Sequence, residues 1–281
     1  MERAIVVTGA NAGIGRAVTR RLTDEGHSVV LVCRRAGAGE EVLAEVAARG
    51  GGKAALVVAD LATAMGRAAA IEGIQRAASS LAALVHNAGL WPTRLERTDE
   101  GFEKSYAVNH LAPFALTAGL WPLLRQSAPS RLVVVSAGLY VLGRPQFEVV
   151  EKGTKFSALR TYADTKLCGA LFARELALRA KNSGIDVHAV HPGVVNTTLG
   201  EGGGFGAWIK SRVKRSWATP ESGADAPCWL ATALTLPAPS GTFWNERQPI
   251  AWHKIAENDA LRADLWARTE RALGCEFNPA A

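Results

Sequence analysis

The sequence predicts an α/β fold in which a doubly wound, parallel β-sheet is flanked by helices on both faces. Short runs of apolar residues, typical of strands that are buried on both sides, recur along the chain. Longer stretches with helical periodicity separate these runs. Because strand, helix and strand alternate, we expect right-handed crossovers and a parallel sheet.

Each element follows from this alternation. Apolar runs predict strands at residues 4–7, 28–33, 54–58, 83–85, 132–135 and 187–190. Helical periodicity predicts helices at residues 15–25, 38–49, 65–79, 102–124 and 161–181. We expect a last edge strand at residues 240–244 and a closing helix at residues 256–273. No linker, repeat or charge block interrupts the chain, so a single domain over residues 1–281 is expected.

Composition restricts the class of function. The formal net charge is +6, and the basic side chains are scattered except for one cluster at residues 210–215. That cluster lacks interleaved aromatic residues, so we expect no nucleic-acid partner and interpret it as a solvated loop or helix face. The four cysteines lie far apart, which argues against a disulfide framework or a metal site. No apolar stretch approaches the ~18 residues of a membrane-spanning helix, so we expect a cytoplasmic protein with no membrane partner.

Three glycines cluster directly after the first predicted strand, in the segment TGANAGIG at residues 8–15. Glycines at such a turn allow a tight bend and a close approach of the backbone to a pyrophosphate, which the amides at the helix N-terminus then bind. A tight turn that binds no ligand is the alternative, but the position after the first strand favours a dinucleotide and a Rossmann-type sheet. The predicted cofactor-binding residues here are Gly9, Asn11, Gly13, Ile14 and Gly15.

The residues after the second strand indicate which dinucleotide binds. Arg34 and Arg35 stand where an NAD-selective site usually has an acidic residue that accepts a hydrogen bond from the ribose 2′-hydroxyl. An arginine cannot accept that bond, whereas its guanidinium suits a 2′-phosphate, so the predicted cofactor is NADP (NADPH). For Arg35 alone, an exposed loop residue is the alternative. Asp60, beside Leu61, follows the third strand and is placed to accept from the adenine amino group, although its sequence also suits a helix cap.

Further polar and small residues follow the later strands. They are Asn87, Ala88 and Gly89 after the fourth strand, Ser136 after the fifth, and Pro192 and Gly193 after the sixth; all of these except Ser136 are predicted, like Leu61, to bind the cofactor. Asn109 lies in a predicted helix, and the four-residue spacing of Tyr162 and Lys166 puts both side chains on one helix face. Without the other residues, Tyr162 and Lys166 would be an ordinary amphipathic pair on a helix surface.

Taken together, these pieces resemble the short-chain dehydrogenase/reductase family over nearly the whole chain. Segments at residues 33–34, 98–103, 108–111, 191–195 and 219–221 look like its retinol-dehydrogenase and carbonyl-reductase branch. The resemblance implies hydride transfer between a nicotinamide and a carbonyl or alcohol carbon.

The resemblance also implies roles for four catalytic residues. Tyr162 would exchange a proton with the substrate oxygen, and the charge of Lys166 would lower the pKa of that tyrosine. Lys166 would also hold the nicotinamide ribose. Ser136 would orient the substrate oxygen, and Asn109 would hold a water that links Lys166 to solvent.

The sequence departs from the family pattern at two places. His86 stands where the family usually has a first asparagine, and we interpret it as a structural residue. The interval between Ser136 and Tyr162 is longer than in many members and resembles the insertion of the retinol-dehydrogenase branch. Ser157 is nearer to Tyr162 in sequence, but Ser136 ends a strand and is the better candidate.

The substrate side is predicted to lie after the sixth strand. A glycine-rich segment at residues 195–219 suits a lid over the substrate, and a silent surface loop is the alternative. Within it, Val195 and Thr197 lie where the family contacts the nicotinamide. The predicted lining of an apolar or aromatic pocket is Trp91, Tyr140, Trp208 and Trp217.

The sequence therefore predicts an NADP-dependent oxidoreductase that acts on a small, fairly lipophilic carbonyl or alcohol compound, as a ketone or aldehyde reductase. A tailoring ketoreductase for an aromatic or polyketide-like metabolite is the alternative within the family. A non-catalytic, NADP-sensing binding protein is the alternative from another class. A homo-oligomer is compatible with the resemblance, because family members associate through helices equivalent to residues 102–124 and 161–181.

Overall fold

The computed structural model describes residues 1, 3–193 and 219–280. These residues form an eight-stranded sheet in the order β3-β2-β1-β4-β5-β6-β7-β8. The strands are β1 Ala4–Thr8, β2 Val29–Cys33, β3 Ala54–Val58, β4 Leu81–His86, β5 Ser130–Val135, β6 Ile185–His191, β7 Phe243–Asn245 and β8 Gln248–Ile250. Strands β1 to β7 pair in parallel, and β8 pairs antiparallel with β7. The predicted Rossmann-type, doubly wound sheet is confirmed.

Helices cover both faces of the sheet. They are α1 Gly13–Asp24, α2 Ala36–Arg49, α3 Ala64–Ala77, the three-part helix α4 (Lys104–Tyr106, Ala107–Leu111 and Ala112–Gln126), α5 Phe147–Lys152, α6 Ala158–Arg179, α7 Pro220–Thr232 and α8 Asp259–Leu273. Helices α1, α2 and α7 bury apolar side chains against one face, and α3, α4 and α6 against the other, where α8 packs on α6. Within the described part of the chain, no helix is both long and apolar enough to cross a bilayer.

Two predicted helices differ in detail from the structure. The helix predicted at residues 102–124 begins at Lys104 and contains a π-helical turn at Ala107–Leu111, which its periodicity does not reveal. The closing helix begins at Asp259 instead of residue 256, because the side chain of Asn258 caps it by accepting from the Leu261 amide at 3.1 Å.

The prediction of a last edge strand at residues 240–244 was wrong in its bounds and its place. The strand in this region is β7, and β8 lies outside it as the edge. The chain reverses between them at Glu246, whose φ of +54° allows a tight hairpin turn. Strand β8 is short, exposed and contains Pro249, which are features of an edge strand that resists further pairing.

An aromatic cluster fixes α8 against α4 and α6. Phe114 of α4 packs edge-on against Trp266 of α8 at 4.8 Å between ring centroids, and against Phe277 at 5.6 Å. Phe172 of α6 lies 6.2 Å from Trp266. Helix α8 and the residues after it therefore cover the surfaces that α4 and α6 turn away from the sheet.

Because three histidines are buried, we expect acid to destabilise the fold. His86, His110 and His188 are at most 3% exposed. Burial lowers the pKa of His86 and His110 to about 3 and that of His188 to about 4, from an ordinary value of 6.5. Between these values and 6.5 the unfolded chain binds more protons than the folded protein, so the free energy of unfolding falls as the pH decreases. At pH 5 the loss is about 2 kcal/mol for each histidine.

The check is urea unfolding at pH 7 and pH 5, with the free energy of unfolding compared at constant ionic strength. We expect the value at pH 5 to be lower by several kcal/mol. Equal values at the two pH values would contradict the neutral, buried state of these side chains.

Candidate active site

The carboxyl ends of β1 and β4 form the crevice where the candidate site lies. From β1 the chain winds toward β2 and β3 on one side and continues with β4 on the other, which is the topological switch point where doubly wound sheets bind ligands. Thr8 and Asn87 tie the two strand ends together. The Thr8 hydroxyl accepts from the amides of Asn87 and Ala88, both at 3.0 Å, and the Asn87 side chain donates to the Thr8 carbonyl at 2.9 Å.

The glycine turn is built for close backbone packing. Gly9 and Gly13 have φ values of +66° and +49°, which side chains rarely adopt. A Cβ on Gly15 would overlap the Gly9 carbonyl and the Asn87 side chain. Helix α1 has no side-chain cap at Ala12 and no acidic residue in its first turn, so its N-terminal amides are available to an anion. Asn11 and Ile14 lie in the same turn, partly buried.

The residues predicted to select the cofactor lie at the ends of β2 and β3. Arg34 and Arg35 are exposed, and neither guanidinium has a hydrogen-bond or ion-pair partner among the described residues. Asp60 is partly buried and accepts from the Ala62 amide at 3.0 Å, while Thr63 is the residue that caps α3. Leu61 is buried beside it. The sequence from Asp60 to Thr63 therefore does supply a helix cap, through Thr63, and a contact of Asp60 with adenine stays a prediction.

Helix α6 brings Tyr162 and Lys166 to the ends of β4 and β5. The Lys166 ammonium donates to the carbonyl of Val135, the residue before Ser136, at 3.3 Å. It also lies 5.7 Å from the centroid of the Tyr162 ring. A Cβ on Gly89 would be 3.5 Å from Lys166 Nζ and 3.4 Å from Asn109 Oδ1. The structure thus gathers the predicted catalytic residues around one opening.

Burial dominates the proton affinities of these groups. Tyr162 is 6% exposed, and burial raises its pKa above the ordinary value. Desolvation lowers the pKa of Lys166 to about 8. In this structure the Lys166 ammonium donates to the Val135 carbonyl, and a lowering of the Tyr162 pKa by Lys166 stays a prediction. Tyr162 therefore keeps its proton at neutral pH.

Asn109 lies in the π-helical turn of α4 and fixes the loop after β4. Its Oδ1 accepts from the Leu90 amide at 2.7 Å, and its Nδ2 donates to the Leu90 carbonyl and to the Thr165 hydroxyl, both at 2.9 Å. Both amide protons are thus used within the protein. Only an oxygen of Asn109 remains to hold the predicted water, and that role stays a prediction.

Of the predicted pocket residues, Trp91 lies at the site. Its indole stacks on the ring of Tyr162, with ring centroids 4.2 Å apart and planes 11° from parallel. Tyr140 instead lies in the core, 3% exposed, where it packs on Phe243 and its hydroxyl accepts from the His253 amide at 2.9 Å. The structure does not bring Tyr140 to Trp91.

The remaining predicted residues lie at the end of β6 and beyond. Pro192 is buried and Gly193 has a φ of +84°. The predictions that fall outside the described residues are those for Val195, Thr197, Trp208, Trp217 and the segment 195–218 of the lid.

His86, the departure from the family pattern, is buried against α4. Its Nε2 lies 2.9 Å from the Thr117 hydroxyl. The side chain at this position therefore packs between the sheet and α4, in agreement with the structural role expected for it.

Sequence reasoning missed three contributors to the site. Thr8 holds the ends of β1 and β4, and Thr165 accepts from Asn109 while donating to the Tyr162 carbonyl at 2.9 Å. His191 ends β6 beside Gly138. Thr8 and His191 follow or end apolar runs, which is the signal that could have found them. Thr165 carries no such signal, because Asn109 is distant from it in the sequence.

The residues fit a nicotinamide dinucleotide. The uncapped start of α1 and the turn with Gly9 and Gly13 leave a cradle for a pyrophosphate that a Cβ would disturb. At the other end, the hydroxyl of Ser136 is buried and has no hydrogen-bond partner among the described residues. An unsatisfied buried hydroxyl beside a tyrosine and a lysine suits a substrate oxygen.

Comparison with known proteins agrees with this geometry. The family model for short chain dehydrogenases matches residues 3–202. Retinol dehydrogenase 11 of Homo sapiens is 34% identical over 266 residues, which cover 94% of this chain and 83% of that protein. The resemblance to retinol dehydrogenases is thereby confirmed.

Two solved structures extend the comparison. An uncharacterized protein from Mycobacterium paratuberculosis superimposes with a TM-score of 0.80 at 27% identity, covering 98% of this chain and 94% of that one. Landomycin C-6 ketoreductase, solved with bound NADP and rabelomycin, superimposes with a TM-score of 0.68 at 26% identity, covering 87% of this chain and 94% of that one. On its sequence, its fold and its site, the chain belongs to the short chain dehydrogenase family of oxidoreductases.

Proposed function

We propose that the protein is an NADP-dependent oxidoreductase that reduces the carbonyl group of a fairly lipophilic ketone or aldehyde. The observation that carries the proposal is the meeting of Tyr162 and Lys166 with the Ser136 hydroxyl, which has no hydrogen-bond partner among the described residues, at the sheet edge that also carries the uncapped glycine turn. A protonated tyrosine, a nearby cation and a free hydrogen-bond donor are what the reduction of a carbonyl requires.

The chain's own residues handle the substrate oxygen and its proton. Ser136 Oγ donates a hydrogen bond to the carbonyl oxygen and orients it. NADPH, when bound, supplies the hydride for the carbonyl carbon. Tyr162 Oη donates its proton to the same oxygen, which becomes the hydroxyl of the alcohol, and the charge of Lys166 stabilises the tyrosinate that is left. Asn109 holds the main chain of Leu90 and thereby the loop that carries Trp91.

The cofactor preference rests on Arg34. Its guanidinium is exposed at the end of β2 and is free of partners among the described residues, as a ligand for a 2′-phosphate must be. Landomycin C-6 ketoreductase was solved with bound NADP, which also supports this preference.

Replacing Arg34 with aspartate should shift the preference from NADPH toward NADH. A carboxylate repels the 2′-phosphate and accepts from a 2′-hydroxyl, so we expect the ratio of kcat/KM for NADPH over NADH to fall at least about 10-fold, the equivalent of ~1.4 kcal/mol. Arg76, on α3 and largely exposed, is the matched control: Arg76→Asp removes an exposed arginine elsewhere. An unchanged ratio in Arg34→Asp would count against the assignment.

The function itself is tested by titrating NADPH and NADH into the purified protein and then following NADPH absorbance with a panel of ketones and aldehydes. Tight NADPH binding with turnover is the expected result. Binding without turnover of any carbonyl compound would favour the non-catalytic NADP sensor, and absence of binding would overturn the proposal.

A second candidate substrate class is favoured by Trp91. Its indole lies flat on Tyr162 and offers an aromatic wall next to the proton donor. A ketoreductase for aromatic, polyketide-like compounds would use such a wall, and landomycin C-6 ketoreductase was solved with rabelomycin. Faster reduction of bulky aromatic ketones than of small aldehydes in the panel would favour this candidate.

A further inference from the structure

Ser136 and His191 lie side by side at the end of the sheet. Val135 of β5 pairs with Val190 of β6, and the Ser136 amide donates to the Val190 carbonyl at 2.8 Å, so the next residues on the two strands are also neighbours. Laterally paired residues of parallel strands point to the same face. Two positions earlier, Val134 and Ala189 both lie in the core on the α6 side. Ser136 and His191 therefore face the side of the sheet that carries the catalytic helix.

Both side chains hold a polar atom that lacks a partner. Ser136 Oγ and His191 Nδ1 are buried, and neither has a hydrogen-bond partner among the described residues. A Cβ on Gly138 would be 3.6 Å from Cδ2 and Nε2 of His191, so Gly138 lies against the ring edge opposite Nδ1. An unmade hydrogen bond in a buried position costs free energy, so these two polar atoms on neighbouring strand ends are available to a ligand that bonds to both.

Burial keeps the imidazole of His191 neutral. Burial and the nearby Lys166 lower the pKa of His191, while Glu246 opposes this effect. The imidazole is therefore neutral at pH 7 and can donate from one nitrogen and accept at the other.

We propose that His191 is a specificity-determining residue that hydrogen-bonds a second, uncharged oxygen on the carbon next to the reacting carbonyl. This inference rests on the proposed function, in which Ser136 and Tyr162 hold the carbonyl oxygen. Neighbouring strands are about 4.8 Å apart, so one hydrogen bond from each side chain reaches oxygens on adjacent carbons. The substrate class is that of α-hydroxy ketones and α-diketones.

The test compares two ketones of nearly equal shape, 2-hydroxyacetophenone and propiophenone, which differ by a hydroxyl in place of a methyl group. In His191→Phe we expect kcat/KM for 2-hydroxyacetophenone to fall about 10- to 100-fold and that for propiophenone to change by less than about 2-fold. His191→Asn places an amide where Nδ1 stands and should restore much of the ratio between the two substrates.

His188 supplies the matched control. It lies on the same strand, and its Nδ1 accepts from the Trp244 indole at 3.2 Å in the core. His188→Gln should leave the ratio between the two ketones unchanged, whatever it does to stability. An unchanged ratio in His191→Phe would overturn the role of His191 while leaving the reductase function intact.

A binding measurement with the diol product tests the role of His191 independently of the proposed reductase activity. Calorimetry with 1-phenyl-1,2-ethanediol and the protein–NADP complex needs no turnover. Binding that weakens about 10-fold or more in His191→Phe and recovers in His191→Asn supports the second anchor, even if neither ketone is reduced. Equal diol binding by the wild-type protein and both variants overturns it.

Discussion

Replacing Tyr162 with phenylalanine should reduce kcat by about 10²–10⁴-fold, the range that a positioned proton donor contributes. The substitution removes the hydroxyl, while the ring that stacks on Trp91 remains. The glycine turn and Arg34 are not affected, so NADPH affinity should change by less than about 3-fold, equivalent to ~0.7 kcal/mol. NADPH absorbance gives the rate, and a fluorescence titration gives the affinity.

Tyr106→Phe is the matched control for this variant. Tyr106 is a fully buried tyrosine in the first part of α4, away from the opening around Lys166. Its loss of a hydroxyl should leave turnover within about 2-fold, because the core residue contacts no substrate. Undiminished turnover by Tyr162→Phe would refute the proton-donor role.

Replacing Gly15 with alanine should destabilise the fold and remove dinucleotide binding together. A methyl group there overlaps both the carbonyl of Gly9 and the side-chain amide of Asn87. The start of α1 must therefore move away from the ends of β1 and β4. Overpacking of a rigid site costs about 1–3 kcal/mol or more. Thermal unfolding measures the stability, and NADPH fluorescence measures the binding.

Gly37→Ala gives the contrasting result for the same chemical change. Gly37 lies in α2, and a Cβ there would meet no atom within 4 Å apart from its chain neighbours and the backbone of its own helix. Alanine is a better helix former than glycine by about 1 kcal/mol, so this variant should be as stable as the natural protein or more stable. If Gly15→Ala behaved like Gly37→Ala, the close approach at the turn would be disproved.

The central sheet could be predicted because its strands are apolar on both faces. The run Val29–Cys33, for example, is fully buried and pairs in parallel on both sides. A run of five residues, four of them valine or leucine, is too short for a typical helix, so its length and composition favour a buried strand. The glycine turn was predictable for a similar reason, since its residues are adjacent in sequence.

Features that depend on distant contacts could not be predicted. The π-helical turn in α4 is coupled to Asn109, whose side chain binds Leu90 and Thr165, and neither partner is marked by sequence spacing. The position of β8 depends on the positive φ of Glu246, and the sequence has no glycine at that position to indicate a turn. The stacking of Trp91 on Tyr162 joins two segments that only the folded sheet brings together.

The pKa of Tyr162 also depends on contacts that the sequence does not reveal. Proximity to Lys166 was foreseen from the four-residue spacing, and proximity alone lowers a tyrosine pKa. The depth of burial, which acts in the opposite direction, depends on every neighbour of the ring. Spacing along a helix therefore predicts which groups meet and leaves their proton affinities undetermined.

The packing of α8 on α4 and α6 affects how the chain folds during synthesis. Phe114 and Phe172 leave the ribosome well before Trp266 and Phe277, which complete their packing. A nascent chain that already contains β1 to β6 thus exposes an aromatic surface until translation passes Phe277. A premature stop codon in the last helix would release a protein that has all the predicted catalytic residues but an exposed aromatic surface. We expect chaperones and proteases to bind such a protein.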